Sequence, residues 1–371
     1  MELTGANVVH ADGRIGPATL RIESGMIVEV DDTVPARGGV LEGLTLLPGF
    51  VDLHCHGGGG GDYSSADAAS IEAAIGFHRR HGTTTSLASL VSAPIDQLQQ
   101  QTEVLRPFVE SGELVGVHLE GPWLASGACG AQDARTFTAP DVDQVREVIT
   151  WGDGVVAMVT IAPELPSALD AVVSLRGAGI IVAVGHTHAT HDQTHAAIDA
   201  GATVATHLFN AMPPMHHRAP GPVGALLADP RVSVEIICDT VHVHPDVVRL
   251  TLAAAGDRAA LITDAISAAG TTEGMVMLGE QNVNVQEGVA RVVESGALAG
   301  SLLTMRDALA HAVFDCGIDL ATASRAASLA PARALGLFDR GEIAHSMRAD
   351  LVAVDDQLQV YRVMRAGAWL D

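Results

Sequence analysis

From Leu46 onward, short runs of apolar and β-branched residues alternate with longer stretches whose apolar residues recur at helical spacing. The short runs lie at Leu46–Leu53, Thr83–Leu90, Glu113–His118, Val155–Ile161, Ile180–Val184, Thr203–His207, Val232–Cys238 and Leu261–Thr263. Helical spacing occupies Ala66–Arg80, Ile95–Val109, Val142–Ile149, Ser167–Arg176, His191–Ala200 and Pro245–Ala254. Strands that alternate with helices build parallel βα units. Eight such units over roughly 280 residues have the size of a (β/α)8 TIM barrel, which carries its chemistry at the carboxyl ends of its strands. A doubly wound open sheet is the alternative, but no GxGxxG turn follows any of the strands.

Both ends of the chain read differently. Asn7–Val9, Ala18–Ile22 and Met26–Val30 are short strand-like runs separated by Asp-Gly and Ser-Gly turn signals, and Asp350–Val354 and Tyr361–Met364 repeat that style. The expectation is an α/β protein in which residues 1–45 and 345–371 pair into a small β-sandwich domain beside a barrel domain of residues 46–344.

Composition narrows the function. The formal net charge is −23, with 18% charged and 48% apolar residues, which describes a folded acidic surface and not a disordered tail. Such a surface repels phosphate backbones and anionic lipid, and the largest basic cluster is the pair Arg79-Arg80, so neither nucleic acid nor a membrane is expected as a partner. All 21 basic residues are arginine. A chain without lysine forms no Schiff base, has no lysine-bearing phosphate loop and cannot bridge two metals with a carboxylated lysine. The four cysteines form no CxxC pair, which fits a reducing compartment. The opening Met-Glu-Leu-Thr does not read as a signal peptide and no apolar run reaches about 18 residues, so a cytoplasmic protein is expected.

Chemistry gathers at the strand ends. The first strand runs into Asp52-Leu53-His54-Cys55-His56 and then five glycines. Residues two apart on a strand share a face, so His54 and His56 project together and can share one metal ion. The third strand leads to Glu120, the fifth to His186 and the sixth to His207. A single histidine in an apolar strand is usually a satisfied core residue, and a single loop carboxylate is usually solvated. Imidazoles and a carboxylate converging from four strands instead form a mixed nitrogen and oxygen set suited to a divalent first-row cation, one or two per subunit. Zinc leads the expectation, with iron, manganese and cobalt also suited to the donors. The eighth strand supplies Asp264. Metal lowers the pKa of bound water to about 7, yet amide hydrolysis still needs a group that takes a proton and returns it to the departing nitrogen. Asp264 is the candidate for both transfers.

The HxH pair, Leu119-Glu120-Gly121-Pro122, Gly185-His186-Thr187, His207-Leu208-Phe209-Asn210-Ala211-Met212 and Thr263-Asp264-Ala265 together resemble the amidohydrolase superfamily. Within it they resemble the branch that hydrolyses N-acetyl-D-glucosamine 6-phosphate to D-glucosamine 6-phosphate and acetate. The resemblance runs from Leu47-Pro48-Gly49-Phe50 to Ala349-Asp350-Leu351-Val352. It implies that Glu120, His186 and His207 hold the principal metal, and that His54 and His56 hold a second, bridged by Glu120. It further implies that the sugar phosphate meets the backbone at Asn210 and Ala211, that Arg218 is supplied by the neighbouring subunit of a homodimer, and that His242 contacts the sugar. Gln132 stands where many relatives carry a substrate-touching histidine; its amide donates a hydrogen bond but carries no charge. Cys129 lies in the same loop. Another amidohydrolase acting on a neutral N-acyl or cyclic amide, and a non-catalytic metal-binding scaffold, are the competing readings.

Overall fold

The computed structural model describes residues 1–32, 39 and 41–370. Residues 33–38, 40 and 371, which belong to the terminal segments expected to form the small β unit, lie outside the described residues. Eight parallel strands form one sheet: β1 Phe50–Asp52, β2 Thr83–Leu90, β3 Gly116–Glu120, β4 Val156–Ile161, β5 Ile181–Val184, β6 Val204–Ala205, β7 Ser233–Ile237 and β8 Ala259–Ile262. Each pairs with the next in chain order. The cylinder closes just beyond the strand ends. There the backbone N–H of Asp264 donates to His54 O at 2.8 Å, His56 N–H donates to Ala265 O at 2.8 Å, and Cys55 and Ala265 form a parallel bridge. A helix follows each strand, the outer layer being Ala68–Arg80, Ile95–Glu110, Val142–Trp151, Ala168–Gly177, His191–Ala200, Gly221–Ala228, Pro245–Ala255 and Met305–Phe314.

Local chemistry starts these helices where the sequence signals it. Asp67, Asp141 and Thr190 each accept a backbone N–H of the first turn, and Gln193 completes a capping box with Thr190. The strands are buried on both faces, as a helix-covered parallel sheet requires.

The apolar run expected as one first strand, Leu46–Leu53, is two. Thr45–Pro48 pairs with Leu351–Val354 and with Asn7–Val8 in the small sheet, whereas Phe50–Asp52 pairs with β2. The chain changes sheets at Gly49, whose N–H donates to Asp350 O at 2.8 Å and where an added Cβ would sit 2.3 Å from Thr84 Oγ1. A side chain there would collide with β2, so glycine makes the crossover possible. The small unit packs this six-stranded sheet and a three-stranded sheet of Glu2–Leu3, Thr19–Glu23 and Met26–Asp31 around Val8, Leu20, Ile27, Leu46 and Leu351. An antiparallel meander of Gly274–Leu278, Gln281–Gln286 and Val289–Val292, absent from the sequence reading, follows β8 and packs its Leu278, Val283 and Val285 on Val91 and Ile266.

Candidate functional site

Beneath the strand ends the barrel interior is polar. Ser89 Oγ lies 2.9 Å from His118 Nδ1, His118 Nε2 lies 2.8 Å from Thr160 Oγ1, and Thr160 Oγ1 lies 2.9 Å from Thr206 Oγ1, linking β2, β3, β4 and the end of β6. Burial holds the His118 imidazole well below its ordinary pKa and therefore neutral. This layer is a floor, and both ring nitrogens of His118 are committed within it.

Above the floor, His54, His56, Glu120, His186, His207 and Asp264 come together, all less than one-tenth exposed. The two oxygens of Glu120 face different neighbours. Oε1 lies 3.0 Å from both His186 Nε2 and His207 Nε2, which are 3.1 Å apart. Oε2 lies 3.6 Å from His54 Nε2 and 3.3 Å from His56 Nε2, also 3.1 Å apart. One carboxylate thus stands between two pairs of imidazoles. Asp264 Oδ1 closes the second group, 3.5 Å from His54 Nε2 and 3.3 Å from His56 Nε2.

These residues are turned inward at some conformational cost. His186, His207 and Asp264 have φ of 46°, 26° and 49°, left-handed backbone that non-glycine residues rarely adopt. Such residues cost about 1–3 kcal/mol each and persist where the surroundings enforce them. Backbone hydrogen bonds at the barrel seam enforce Asp264, and Glu235 Oε2 receives the His207 N–H at 3.1 Å.

The outer ring nitrogens fix which nitrogen faces the centre. His54 Nδ1 lies 3.3 Å from Glu235 Oε2, His56 Nδ1 3.1 Å from Ser89 O, and His186 Nδ1 2.8 Å from Ala128 O. Each contact places a proton on Nδ1 and leaves Nε2 as an available donor, the arrangement around metal-ligating histidines. Electrostatics agrees. Burial alone would depress the His56 pKa, but hydrogen bonds to Asp264 and Glu120 raise it to about 9. His54 is likewise disfavoured as a cation by burial, yet the Glu120 and Asp264 charges carry it well above its ordinary value. Burial would raise the Asp264 pKa, but the neighbouring His54 and His56 lower it to about 2. The cluster therefore draws positive charge, and its buried N/O donors fit a divalent cation.

A cleft of about 200 Å³ reaches this centre, lined by Glu120, Asp264, Gln132, Asn210, Ala211 and His242 and walled by Leu278, Ala297 and Leu298. Gln132 is anchored at both ends: its amide donates to Glu120 Oε2 and its Oε1 accepts from Ser92 N–H at 2.8 Å. Of the two backbone groups assigned to phosphate, Asn210 N–H donates within its own turn to His207 O at 3.0 Å. His242 Nδ1 lies 2.6 Å from Asp239 Oδ2, which presents the opposite ring edge. Arg218 is exposed, beside His217 Nε2 at 2.6 Å, and does not line the cleft of its own chain.

Sequence reasoning missed Glu235, fully buried in β7 with one oxygen serving both His54 and His207. A carboxylate between Val234 and Ile236 in an apolar strand was the available signal, because burying such a group demands a partner. The Asp52 carboxylate, to which the sequence assigns no role, accepts from Thr263 Oγ1 at 2.6 Å and Thr263 N–H at 3.2 Å and so ties β1 to the residue that follows β8.

Known proteins share this construction. An N-acetylglucosamine-6-phosphate deacetylase from Lysinibacillus sphaericus is 33% identical over 97% of this chain and 95% of its own length. An N-acetylgalactosamine-6-phosphate deacetylase from Escherichia coli O157:H7 is also 33% identical, over 98% of each chain. The crystal structure of N-acetyl-D-glucosamine-6-phosphate deacetylase from Mycobacterium smegmatis superposes with a TM-score of 0.96 at 45% identity, covering all of both chains. An aspartate-to-alanine mutant of that enzyme, solved in complex with N-acetyl-D-glucosamine 6-phosphate, gives 0.95 at 46% identity, covering 100% of this chain and 98% of its own. The sequence pattern described as the amidohydrolase family matches residues 45–370. The chain belongs to the amidohydrolase family.

Proposed function

We propose that this protein is a metal-dependent hydrolase that removes the acetyl group of N-acetyl-D-glucosamine 6-phosphate, giving D-glucosamine 6-phosphate and acetate. The observation that carries the reading is Asp264 Oδ1 at 3.3 Å from His56 Nε2, in a cleft that Gln132 and His242 also line. An ionised carboxylate stands there beside a set of donors for a cation. Relatives of one-third to nearly one-half identity that carry this substrate in their names support the choice of sugar phosphate.

Glu120, His186 and His207 would hold one divalent cation, and His54 with His56 a second that shares Glu120. When bound, the cation supplies the charge that acidifies water and polarises the acetamide carbonyl. Asp264 takes the proton of the attacking water and returns it to the departing nitrogen. His242 and Gln132 orient the sugar, the Ala211 backbone meets the phosphate, and Arg218 of the partner subunit supplies a planar fork for the dianion. Zinc, a homodimer and a cytoplasmic setting complete the reading. We place the small β unit at both termini, residues 1–45 and 345–371, a reading supported by the pairing of Leu351–Val354 with the strand that begins at Thr45.

Acetate release tests the proposal. The gluco and galacto 6-phosphates and unphosphorylated N-acetylglucosamine are compared, each with and without chelator. Preference for the gluco 6-phosphate with loss on chelation is expected. Preference for the galacto epimer reassigns the sugar, and equal turnover of the unphosphorylated sugar favours a hydrolase of neutral N-acyl amides. No release from any of them leaves a metal-binding scaffold.

A further inference from the structure

Two thiols that the cleft does not use lie against each other in the barrel wall. Cys238 Sγ is 3.8 Å from Cys316 Sγ, and the residues are 0% and 2% exposed. Cys238 directly follows β7, and Cys316 lies two residues beyond the helix Met305–Phe314, its N–H donating to His311 O at 3.0 Å. They are 78 residues apart in the chain, and both sit in the main apolar core. The sulfurs touch, and a bond of about 2.05 Å would require them to close the remaining gap.

We propose that Cys238 and Cys316 are a modification site of the thiol-pair class, converted by hydrogen peroxide to a reversible intramolecular disulfide. The two sulfurs are within reach of one another, and either thiol can donate to the other. Cys316, in the segment that follows the outer helix and the less buried of the two, is the sulfur that peroxide meets first. Its sulfur gives up the thiol proton and attacks one peroxide oxygen, the O–O bond breaks, and the departing hydroxide takes up that proton, so the products are a sulfenic acid on Cys316 and water. The Cys238 sulfur then displaces the sulfenic oxygen. The S–S bond forms, and that oxygen leaves as a second water carrying the Cys238 proton. Two electrons pass from the thiols to the peroxide. Cys55, whose Sγ lies 3.2 Å from His78 Nε2, and Cys129 are free thiols that serve as internal controls.

The bond would join the outer helix layer to the residue preceding Asp239, whose carboxylate orients His242. It would also close a long loop, which restricts the unfolded chain. The test uses the metal-loaded full chain, treated with graded hydrogen peroxide, alkylated after unfolding in acid, and mapped as peptides without reduction. A linked Cys238–Cys316 peptide that disappears on reduction is expected, with the thermal midpoint of the oxidised protein a few degrees above the reduced. Cys238→Ser and Cys316→Ala should each remove the link and the midpoint gain while leaving peroxide modification of Cys129 as in the parent. The proposal is overturned if both thiols of the unsubstituted chain remain alkylatable when Cys129 is fully oxidised. A link from either thiol to Cys129 in their place overturns it equally, and neither result depends on how the variants fold.

Discussion

Glu235 Oε2 lies 3.3 Å from His54 Nδ1 and is buried to 0% exposure, so a carboxylate with no access to the cleft determines how an imidazole of the donor cluster presents itself. The same oxygen receives the backbone N–H of His207. One side chain on β7 thus orients donors on both sides of Glu120. Loss of such an outer partner costs metal sites about 10–100-fold in affinity. Glu235→Gln should weaken cation binding by that order, measured by competition with a chromogenic chelator. Unchanged affinity would remove Glu235 from the centre.

Asp264 is assigned the proton transfers. Asp264→Asn preserves shape and removes the base, so kcat should fall by about 10²–10⁴-fold, with metal content by elemental analysis near that of the parent. Undiminished turnover would refute the assignment, and loss of metal in step with activity would make Asp264 chiefly a ligand.

Protons and cations compete for the same imidazoles. His56 titrates at about 9 in the cation-free folded chain, above the unfolded value of about 6.5. Its protonation therefore contributes stability that is fully present below about 6.5 and lost as pH rises through about 9. A cation on the imidazoles replaces that proton. The difference in thermal midpoint between loaded and chelated protein should widen as pH rises from about 6.5 to 9, and affinity should weaken by about tenfold per pH unit below about 9. A difference that stays constant with pH would contradict the electrostatic account.

Arg218 contributes nothing to the cleft of its own chain. If it serves the neighbouring subunit, Arg218→Ala should raise KM for the phosphorylated sugar about tenfold or more, as loss of a charged hydrogen bond implies, and should spare kcat. Mixing that variant with Asp264→Asn under conditions of subunit exchange should restore a low-KM population, because one site of each mixed dimer keeps both groups. Absence of recovery in demonstrably mixed dimers would place Arg218 outside the shared site.

Much of this site is legible in the sequence. His54, His56, Glu120, His186, His207 and Asp264 sit where apolar runs end, and a barrel geometry brings strand ends together whatever their distance in sequence. Other features depend on tertiary facts that no local pattern encodes. The passage of Thr45–Pro48 into the small sheet is set by Asn7–Val8 on one side and by Leu351–Val354, more than 300 residues away, on the other, and is signalled only by Pro48-Gly49. The alternation of buried Val283 and Val285 with exposed Asn282 and Asn284 was visible, but an inserted meander breaks the βα rhythm that organised the reading. The two-ended anchoring of Gln132 requires the loop after β3 to fold back over Glu120.

The barrel seam has a further implication. Its stitches are the backbone groups of His54, His56, Asp264 and Ala265, so the joint that makes the sheet continuous and the workplace of the enzyme share the same few peptide units. Adding a single residue between Asp52 and His54 would reverse which side of the strand faces inward and unlatch the cylinder at the same stroke. A change of length in the segment from residue 52 to 56 would therefore have to be matched by one in residues 263 to 265.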